Sequence, residues 1–467
     1  MTTFTFPEGF RWGTATSSYQ IEGAAATDGR TPSIWDTFCQ VQGAVANSDD
    51  AVVAVDHYHR YREDVAQLAQ LGLDTYRFSV SWSRVIRPDG SLNPAGLDFY
   101  SRLVDELAGA GVEPWLTLYH WDLPEFLPGG WLNRDTAAKF ADYAAAVHAA
   151  LGDRVRIWTT LNEPWCSSFL SYGAGEHAPG HTSPVEAARA AHHLMLALGL
   201  ATEVLRAADP AALLGITLNF TPVSPADPSS PADVDLARRI DGTGNRFFIE
   251  AILRGAYPGD VLTDLAQWWE PGLVQDGDLA VISTPIDLLG VNYYTTDVVR
   301  APRPDESWQP PVVRGRTLAS PHVTAAEARS VPRDLPVTAL GWPVDPDGLH
   351  QLLLRLHNEY TSAAGVGMVI TENGAAYPDD VLDADGSVLD LDRIEYLRGH
   401  LAACGRAIAD GVDLRGYLLW SLIDNFEWAH GYAKRFGILA VDSELRRLPK
   451  ASARWYQQVV RAGVLET

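Results

Sequence analysis

The stretch "RIWTTLNEPW", Arg156 to Trp165, decides the architecture of this chain. It begins as an apolar run typical of a buried strand and then changes abruptly to an amide, a carboxylate and a proline. Pro164 cannot donate a backbone hydrogen bond, and it restricts the residue before it to extended conformations. We therefore expect a strand that ends at Glu163, with the carboxyl group held at a fixed height above the sheet edge.

Short apolar runs alternate with helical patterns along the chain, which is typical of βαβ units and a parallel sheet buried on both faces. One helical pattern lies in "YREDVAQLAQLG", residues 61–72, where apolar side chains recur at i, i+4, i+7 and i+8. Another begins with Asn93 as a helix cap and Pro94 in the first turn. The runs predicted as strands are residues 9–15, 74–80, 113–119, 156–162, 213–220, 286–294, 366–373 and 415–421.

Strands that are each followed by helical sequence predict an α/β fold, a single (β/α)8 TIM barrel with long βα rim loops. An open doubly wound sheet with a second domain is the alternative, and the position of the polar residues distinguishes the two. Polar or aromatic groups follow almost every strand: Arg77, Ser79, Tyr119, His120, Asn162, Glu163, Asn219, Asn292, Tyr293, Tyr294, Glu372, Asn373, Trp420 and Ser421. A barrel collects these strand ends in one bowl, where barrel enzymes build their active sites.

Two long connections are rich in proline, residues 221–231 after the fifth strand and residues 301–343 after the sixth. We interpret both as rim loops of the bowl. A domain boundary inside the second connection is the alternative, and it ranks lower because the same alternation of strand and helix resumes after it. The prediction is one barrel domain over residues 1–467.

The composition excludes several classes of partner. A formal net charge of −23 repels nucleic acid and an acidic membrane surface. The three cysteines are scattered without CxxC spacing, which argues against a disulfide framework or a structural zinc site and favours a reducing cytosol. The start of the chain has no secretion-signal pattern, and no apolar run is long enough to span a bilayer. We expect a soluble, cytoplasmic protein with no nucleic-acid or membrane partner; its oligomeric state stays open.

A second carboxylate closes the seventh predicted strand in "VITENG", where Glu372 follows Val369 and Ile370, and Gly374 is expected to let the chain turn sharply. One NEP tripeptide in a chain with 59 acidic residues is more often chance than catalysis. Two glutamates, each beside an asparagine and each closing a buried strand, reverse that judgement. Facing each other across the bowl, they form the pair needed to cleave a glycosidic bond.

At these motifs the chain resembles glycoside hydrolase family 1, the retaining β-glucosidases and their relatives. "FPEGFRWGTATSSYQIEG", "YRFSVSWSRV", "LYHWDLP", "TLNEPW", "VNYYT", "VITENG" and "WSLIDNFEWAHGYAKRFG" follow one another in the family's order. This ordered series covers nearly the whole chain and is far more specific than NEP or TENG alone. The resemblance implies a (β/α)8 barrel that hydrolyses β-linked glycosides with net retention.

Carried over by position, the resemblance makes Glu163 the general acid/base and Glu372 the nucleophile. Glu163 has to be protonated to release the aglycone, so its pKa is expected to be raised by burial and by the charge of Glu372. Glu372 has to stay ionised. The matching groups that keep it so are Arg77, as a nearby cation, and Tyr294, as a hydroxyl donor.

The resemblance also implies a subsite for the sugar. Its hydrogen-bonding set is Gln20, His120, Asn162, Glu427 and Trp428, with Trp420 as stacking platform and Asn292 supporting the corner of Tyr294. Taken singly, Gln20 and His120 could be satisfied core groups and Trp420 could be packing. Residues at or near rim loops are expected to contact the aglycone: Trp165, Cys166, Leu170, Tyr172, His177 and Trp342.

The predicted substrate is a small β-glycoside, namely an aryl or alkyl β-glucoside or a cello-oligosaccharide, which connects the protein to cellulose and polysaccharide degradation. Glu427, Trp428 and Phe436 occupy positions where phospho-β-glycosidases hold a 6-phosphate, so an unphosphorylated sugar is favoured. A β-galactosidase, a β-fucosidase or a transglycosylating relative is the alternative on the same site. The alternative of another class is a carbohydrate-binding barrel without turnover, and the presence of both glutamates argues against it.

No cofactor and no metal site are predicted. His57 and His59 in "DHYHRY" lack an evident third ligand, so a structural role is favoured. The stretch "DADGSVLD", residues 383–390, is similar to a calcium loop but lacks the final glutamate, and it is interpreted as a turn.

Overall fold

A computed structural model of the chain describes residues 2–383 and 386–467. Two residues of the calcium-like stretch, 384 and 385, therefore lie outside the described residues. Eight parallel strands close into a barrel, each hydrogen-bonded to the next and the last to the first. In chain order they are β1 Arg11–Ala15, β2 Thr75–Ser79, β3 Glu113–Tyr119, β4 Ile157–Asn162, β5 Leu213–Asn219, β6 Leu288–Asn292, β7 Gly367–Asn373 and β8 Leu414–Trp420. The predicted barrel is confirmed, and each strand lies within one residue of its predicted run or inside it.

One principal helix follows each strand and covers the outside of the barrel. These are α1 His57–Leu71, α2 Pro94–Gly109, α3 Asp135–Leu151, α4 Pro184–Ala208, α5 Phe247–Arg254, α6 Pro346–Leu356, α7 Leu391–Ala409 and α8 Ala451–Ala462. Further helices lie in the connections: Ser18–Ile21, Ile34–Phe38, Trp82–Val85, Pro231–Asp241, Gly259–Leu265, Asp278–Ile282 and Ser362–Ala364. No helix of the described residues is long and apolar enough to cross a bilayer.

Asn93 precedes α2 as predicted, but its side chain does not cap the helix. The Asn93 amide instead donates to the backbone carbonyls of Asp28, at 2.6 Å, and Arg84, at 2.8 Å. The Asn93 amide thus bonds to two neighbouring segments of the chain instead of to the helix. Pro94 has no N–H group, which is harmless in the first turn of a helix. The helix boundary was predicted correctly, and the function of the side chain was not.

The barrel interior is filled in layers, which fixes the height of the polar groups. An apolar layer occupies its lower part: Trp115, Ile157, Leu288, Val369 and Leu418, with Leu213 packed against it. A layer of threonines and a cation lies next to it, where the Trp115 indole donates to Thr159 at 2.8 Å and the Arg77 guanidinium to Thr117 at 3.1 Å. Above these layers, the barrel interior opens at the carboxyl ends of the strands, where an active site of this fold is built.

The two proline-rich connections contain regular structure. Residues Val223–Pro225 pair in parallel with Asp297–Arg300, which also pairs antiparallel with Arg329–Ser330. This three-stranded rim sheet ties the connection after β5 to the connection after β6. A hairpin, Val312–Val313 with Arg316–Thr317, extends from the second connection. Antiparallel pairs close the chain ends, Thr3–Thr5 with Val464–Glu466, and the segment before α8, Leu439–Val441 with Arg447–Pro449.

The two histidines of "DHYHRY" each contact an aspartate. His57 Nδ1 lies 2.7 Å from Asp64, and His59 Nδ1 lies 2.6 Å from Asp56. The Asp64 carboxylate also accepts two hydrogen bonds from the buried Arg447. Within the described part of the chain, no group of three histidine, cysteine or acidic side chains is arranged to hold a metal ion.

Candidate active site

A cavity of about 620 Å³ opens at the carboxyl ends of the barrel strands. Both glutamates singled out in the sequence line this cavity, one from the end of β4 and one from β7. Most of the other predicted site residues line it as well: His120, Trp165, Cys166, Leu170, His177, Asn292, Tyr294, Trp342, Trp420, Glu427 and Trp428. Strands distant in sequence thus bring their polar ends to one space, as the barrel prediction requires.

Glu372 is held by two donors, one from β2 and one from the residues just after β6. The Arg77 guanidinium donates to Glu372 Oε1 at 2.6 Å, and the Tyr294 hydroxyl donates to Oε2 at 2.7 Å. Burial, and then the charges of Glu372 and Glu163, raise the pKa of Tyr294, so the phenol stays protonated and keeps donating. Each oxygen of the Glu372 carboxylate therefore accepts from a charged or hydroxyl donor, and hydrogen bonds of this kind are short and strong.

Glu163 lies in a different environment, in which no cation of the described residues contacts its carboxyl group directly. Asn292 Nδ2 donates to Oε1 at 2.6 Å, and the Cys166 thiol donates to Oε2 at 3.1 Å. Burial, followed by the charge of Glu372, raises the pKa of Glu163 above its ordinary range, although Asn292, Cys166 and Arg77 act in the opposite direction. Glu163 is therefore the carboxyl group that holds a proton, with the two causes that the sequence suggested.

Asn162 connects the two carboxyl groups. Its Oδ1 accepts from the Arg77 guanidinium at 2.6 Å and from Asn292 Nδ2 at 3.2 Å. A continuous hydrogen-bonded path thus runs from Glu372 through Arg77, Asn162 and Asn292 to Glu163. The sequence placed Asn292 as support for Tyr294, whereas the structure has it donate to Glu163.

The backbone at Glu163 contradicts the prediction that Pro164 keeps it extended. Glu163 has φ of +49°, in the left-handed region that disfavours a residue with a side chain. The register between β4 and β5 shifts just before this point, and the Glu163 N–H bonds to the Thr217 carbonyl at 2.9 Å. Such a conformation costs about 1–3 kcal/mol, and the surrounding hydrogen bonds hold it in place.

The segment after Glu163 is helical, not an irregular rim loop. Pro164 stands at the start of a short helical turn, where a missing N–H is harmless. A π-helix follows over Cys166–Gly173. Its wide turn places Cys166 and Leu170 on the cavity and turns Tyr172 into the hydrophobic core. Tyr172 is 2% exposed and is therefore not positioned with the other residues expected to contact the aglycone.

Gly374 is required for a reason other than the predicted turn. Its φ is not in the left-handed region, but a Cβ at this position would overlap the carbonyl oxygen of Trp420. The end of β7 therefore approaches the end of β8 too closely for any side chain. This close approach brings the Glu372 strand and the Trp420 strand together at the cavity.

His120 presents an unused donor in the cavity. Asn162 Nδ2 lies 3.1 Å from His120 Nε2, so that nitrogen accepts and Nδ1 carries the proton. Burial, and then the charge of Arg77, lowers the pKa of His120 and keeps the ring neutral. Nδ1 is buried, and nothing in the described residues bonds to it. The His120 ring also stacks on Trp420, with centroids 5.8 Å apart.

Glu427 is a further carboxyl group in the cavity. Burial, and then the charges of Glu372 and Glu163, raise the pKa of Glu427 to about 8. No hydrogen-bond donor of the described residues contacts its carboxyl group. Gln20 differs, because its amide is buried and bonds to Ser17, Asn425 and Phe426. Both amide atoms of Gln20 thus have protein partners, as expected of a satisfied core group.

The geometry agrees with the comparisons with known proteins. The sequence model of glycosyl hydrolase family 1 matches residues 2–464. The chain belongs to this family. Family 1 chains are glycoside hydrolases, so the protein is a glycosidase of the retaining type.

The relatives of this family 1 chain match it over nearly its full length. It is 48% identical to a bifunctional β-D-glucosidase/β-D-fucosidase of Bifidobacterium breve, with 98% of each chain covered. It is similar in structure to a psychrophilic β-glucosidase of Micrococcus antarcticus, with 51% identity, 98% of each chain covered and a TM-score of 0.95. A family 1 β-glucosidase of Thermotoga maritima shares 41% identity, with 100% of each chain covered and a TM-score of 0.91.

Sequence reasoning missed several cavity residues of this family 1 chain. Trp121 lines the cavity, and its indole donates to the Asn162 carbonyl at 3.0 Å. Its position beside His120 in "LYHWDLP" was a usable signal. Glu176 and His430 also line the cavity. Glu176 lies outside the quoted motifs, so no local pattern distinguished it from a solvated charge. His430 lies inside "WSLIDNFEWAHGYAKRFG", two residues after Trp428, so its position was a usable signal.

Proposed function

We propose that this protein is a β-glucosidase that releases terminal non-reducing β-D-glucosyl residues, with retention, from aryl and alkyl β-glucosides and cello-oligosaccharides. The observation that supports it best is the unequal treatment of two carboxyl groups in one cavity. Glu372 has a donor on each oxygen, from Arg77 and Tyr294, whereas Glu163 is buried near that negative charge. Unequal protonation of such a pair is what acid and nucleophile require.

In the first step, ionised Glu372 attacks the anomeric carbon from one face of the sugar. The C–O bond to the aglycone breaks, and Glu163 gives its proton to the leaving oxygen. The product of this step is a glucosyl ester of Glu372. Positive charge develops at the sugar in the transition state, and the ionised carboxylate beside it stabilises that charge.

In the second step, the same Glu163 acts as a base. Esterification removes the negative charge of Glu372, so the main electrostatic cause of the raised Glu163 pKa is gone. Glu163, ionised after the first step, accepts a proton from water as the water attacks the anomeric carbon. Glucose then leaves with its original configuration, and both carboxyl groups return to their starting states.

The glucosyl hydroxyls are proposed to bind the free polar groups around this pair. His120 Nδ1 supplies a donor, and Asn162 uses one N–H on His120, which leaves the other for the 2-hydroxyl. Glu427 supplies an acceptor, with Trp428 beside it, and the Trp420 ring supplies a flat apolar surface. Gln20 has an indirect part in this proposal. Its amide donates to the backbone carbonyl of Phe426, which precedes Glu427 in the chain.

A β-fucosidase activity is the second candidate, since the Bifidobacterium breve relative carries both names. Fucose lacks the 6-hydroxyl group, and its 4-hydroxyl is axial. The Glu427 carboxyl has no donor of the described chain, so it can accept from hydroxyls in either arrangement. Ratios of kcat/KM on matched 4-nitrophenyl β-glucoside, β-galactoside and β-fucoside will rank the three sugars.

The decisive experiment compares Glu163→Gln and Glu372→Gln with the parent on aryl glucosides of graded leaving-group acidity. Glu372→Gln is expected to abolish turnover of all substrates. Glu163→Gln is expected to spare the first step for acidic leaving groups, and to show a burst followed by slow turnover. Equal residual activity in both variants, or a folded parent that binds glucosides without turnover, would contradict the proposal in favour of a non-catalytic barrel.

We further propose a cytoplasmic enzyme acting on short products of cellulose degradation, with residues 1–467 as one barrel domain. The net charge of −23 supports the absence of nucleic-acid and membrane partners. Pairing of Arg329–Ser330 with Val299 and Arg300 supports a single domain, because it joins the long second connection to the rim. One cooperative unfolding transition and recovery of activity in the cytosolic fraction are the expected results.

A further inference from the structure

Glu176 is a carboxylate in the cavity that the reaction above does not use. It follows the π-helix Cys166–Gly173, and its backbone N–H donates to the Leu170 carbonyl at 3.2 Å. Glu176 lines the cavity, as do Leu170 and Trp165. Glu176 therefore belongs to the part of the wall beyond Glu163, among residues expected to contact the aglycone.

The Glu176 carboxylate has no partner of its own. Throughout residues 2–383 and 386–467, nothing donates a hydrogen bond to it or forms an ion pair with it. The two cations whose charges act on Glu176 donate to backbone carbonyls: Arg314 to those of Gly43 and Ala44, and Arg316 Nη2 to that of Gly175. A partly buried acceptor without a donor is costly, unless a ligand supplies the donor.

These arginines still influence the charge of Glu176. Burial raises the pKa of Glu176, and the positive charges of Arg314 and Arg316 act in the opposite direction. Both cations lie on or beside the hairpin Val312–Thr317 of the long connection after β6. The hairpin thus offsets part of the effect of burial on Glu176 without contacting its carboxyl group.

The electrostatic influence of Glu176 differs from that of the carboxyl groups of the sugar subsite. Glu163, Glu372 and Glu427 affect one another, since the charges of the first two raise the pKa of Glu427. The charge of Glu176 acts on the Cys166 thiol, on the aglycone side of Glu163. A charged group on the aglycone should therefore interact electrostatically with Glu176, whereas the glucosyl ring contacts the other carboxyl groups.

We propose that Glu176 selects the aglycone by charge and hydrogen bonding, favouring leaving groups that carry hydroxyl or ammonium donors and disfavouring those that carry a carboxylate. This inference rests on the proposed glucosidase function. It extends that function by naming the chemical class of leaving group. The second sugar of a β-linked disaccharide, which presents several hydroxyl donors, fits this class.

The test uses three phenyl β-glucosides that differ only in the para substituent: aminomethyl (cationic), methyl (neutral) and carboxylate (anionic). For each substrate, kcat/KM of Glu176→Gln is divided by that of the parent, which cancels the intrinsic reactivity of the leaving group. Relative to the neutral substrate, the ratio should rise about fivefold for the anion and fall about fivefold for the cation. High salt should shrink both effects.

The matched control is Glu203→Gln, the same chemical change on an exposed part of α4. It should leave all three ratios equal, because it lies outside the cavity. Glu176→Lys should reverse the charge preference and serves as a second variant, with circular dichroism to confirm folding. In Glu176→Ala, kcat/KM should fall about tenfold more for cellobiose than for the neutral phenyl glucoside, because the variant removes the charged acceptor of a sugar hydroxyl.

Equal ratios for the three substrates in folded Glu176→Gln would overturn the proposal, and so would the same charge dependence in Glu203→Gln. A parent without activity on the neutral substrate would instead refute the glucosidase function itself. The two failures are therefore distinguishable in one set of measurements.

Discussion

The hydroxyl of Tyr294 donates a 2.7 Å hydrogen bond to Glu372 Oε2, on the side of the carboxylate that Arg77 does not contact. The two donors come from different strands, so this geometry exists only when the barrel is closed. Arg77 contributes a positive charge and Tyr294 contributes a directional hydrogen bond. Together they fix the orientation of the Glu372 carboxylate toward the cavity.

Tyr294→Phe should therefore reduce catalysis without unfolding the protein. The ring remains packed near Trp342, with centroids 5.6 Å apart in the parent, and only the hydroxyl is lost. A hydrogen bond to a charged group contributes about 1.5–3 kcal/mol, so kcat should fall about 10- to 100-fold. Initial rates on 4-nitrophenyl β-glucoside measure this loss. An unchanged kcat, with folding confirmed by circular dichroism, would show that Arg77 alone orients Glu372.

Cys166→Ala should move the pH dependence upward. The Cys166 thiol donates to Glu163 and lowers its pKa, so removal of the thiol should raise the pKa of the acid further. Glu163 has to be protonated for the first step, and the alkaline limb of kcat/KM reports its pKa in the free enzyme. That limb should lie above the ordinary carboxyl range in the parent and shift up by about half a pH unit in the variant.

The control for this shift is Cys404→Ala. Cys404 is buried in α7, away from the cavity, and its loss removes a similar volume without touching Glu163. The pH profile of that variant should match the parent. A downward shift in Cys166→Ala, or equal shifts in both variants, would contradict the assigned direction of the thiol hydrogen bond.

Glu427→Gln should stabilise the protein while it weakens sugar binding. The pKa of Glu427 is raised to about 8, so an unfolded chain ionises this group at lower pH than the folded one does. Below the unfolded pKa both states are protonated and there is no penalty; as pH rises above it, the folded state is progressively disfavoured until pH reaches the folded pKa. Glutamine removes this pH-dependent loss.

The gain in the free energy of unfolding of Glu427→Gln should therefore grow from pH 5 to pH 8. Its growth should not exceed about 1.4 kcal/mol for each unit by which folding raises the pKa of Glu427. Denaturant unfolding at both pH values measures it. Glu203→Gln, at an exposed position, should show no such growth. A gain that stays constant with pH would mean that packing, not ionisation, accounts for the difference.

Gly374→Ala should destabilise the barrel strongly. The added Cβ would overlap the Trp420 carbonyl oxygen, which is backbone and cannot move aside cheaply. We expect a loss of about 3 kcal/mol or more in the free energy of unfolding. Gly109→Ala, in α2 where a Cβ meets open space, should instead be neutral or stabilising by up to about 1 kcal/mol. Similar stabilities of the two variants would contradict the close approach of β7 and β8.

Much of the fold could be predicted because its signals are local. Apolar runs of strand length, bounded by helical patterns, located all eight barrel strands, and the polar residues at their ends located the bowl. The raised pKa of Glu163 was also predictable, since a buried carboxyl group beside a second one has few alternatives. Asn93 marks the limit of this reasoning, because a cap position does not fix where the side chain bonds.

The sequence by itself determined the strand count, the barrel and the two glutamates that close β4 and β7, because periodicity and strand ends are properties of neighbouring residues. Tertiary structure decided the left-handed backbone of Glu163, the donation from Asn292 to Glu163, and the presence of Glu176 in the cavity. These features depend on contacts between segments far apart in the chain. The hydrogen-bonding groups of several strands come within reach of one another only in the closed barrel, so the sequence of one segment does not determine which pairs form.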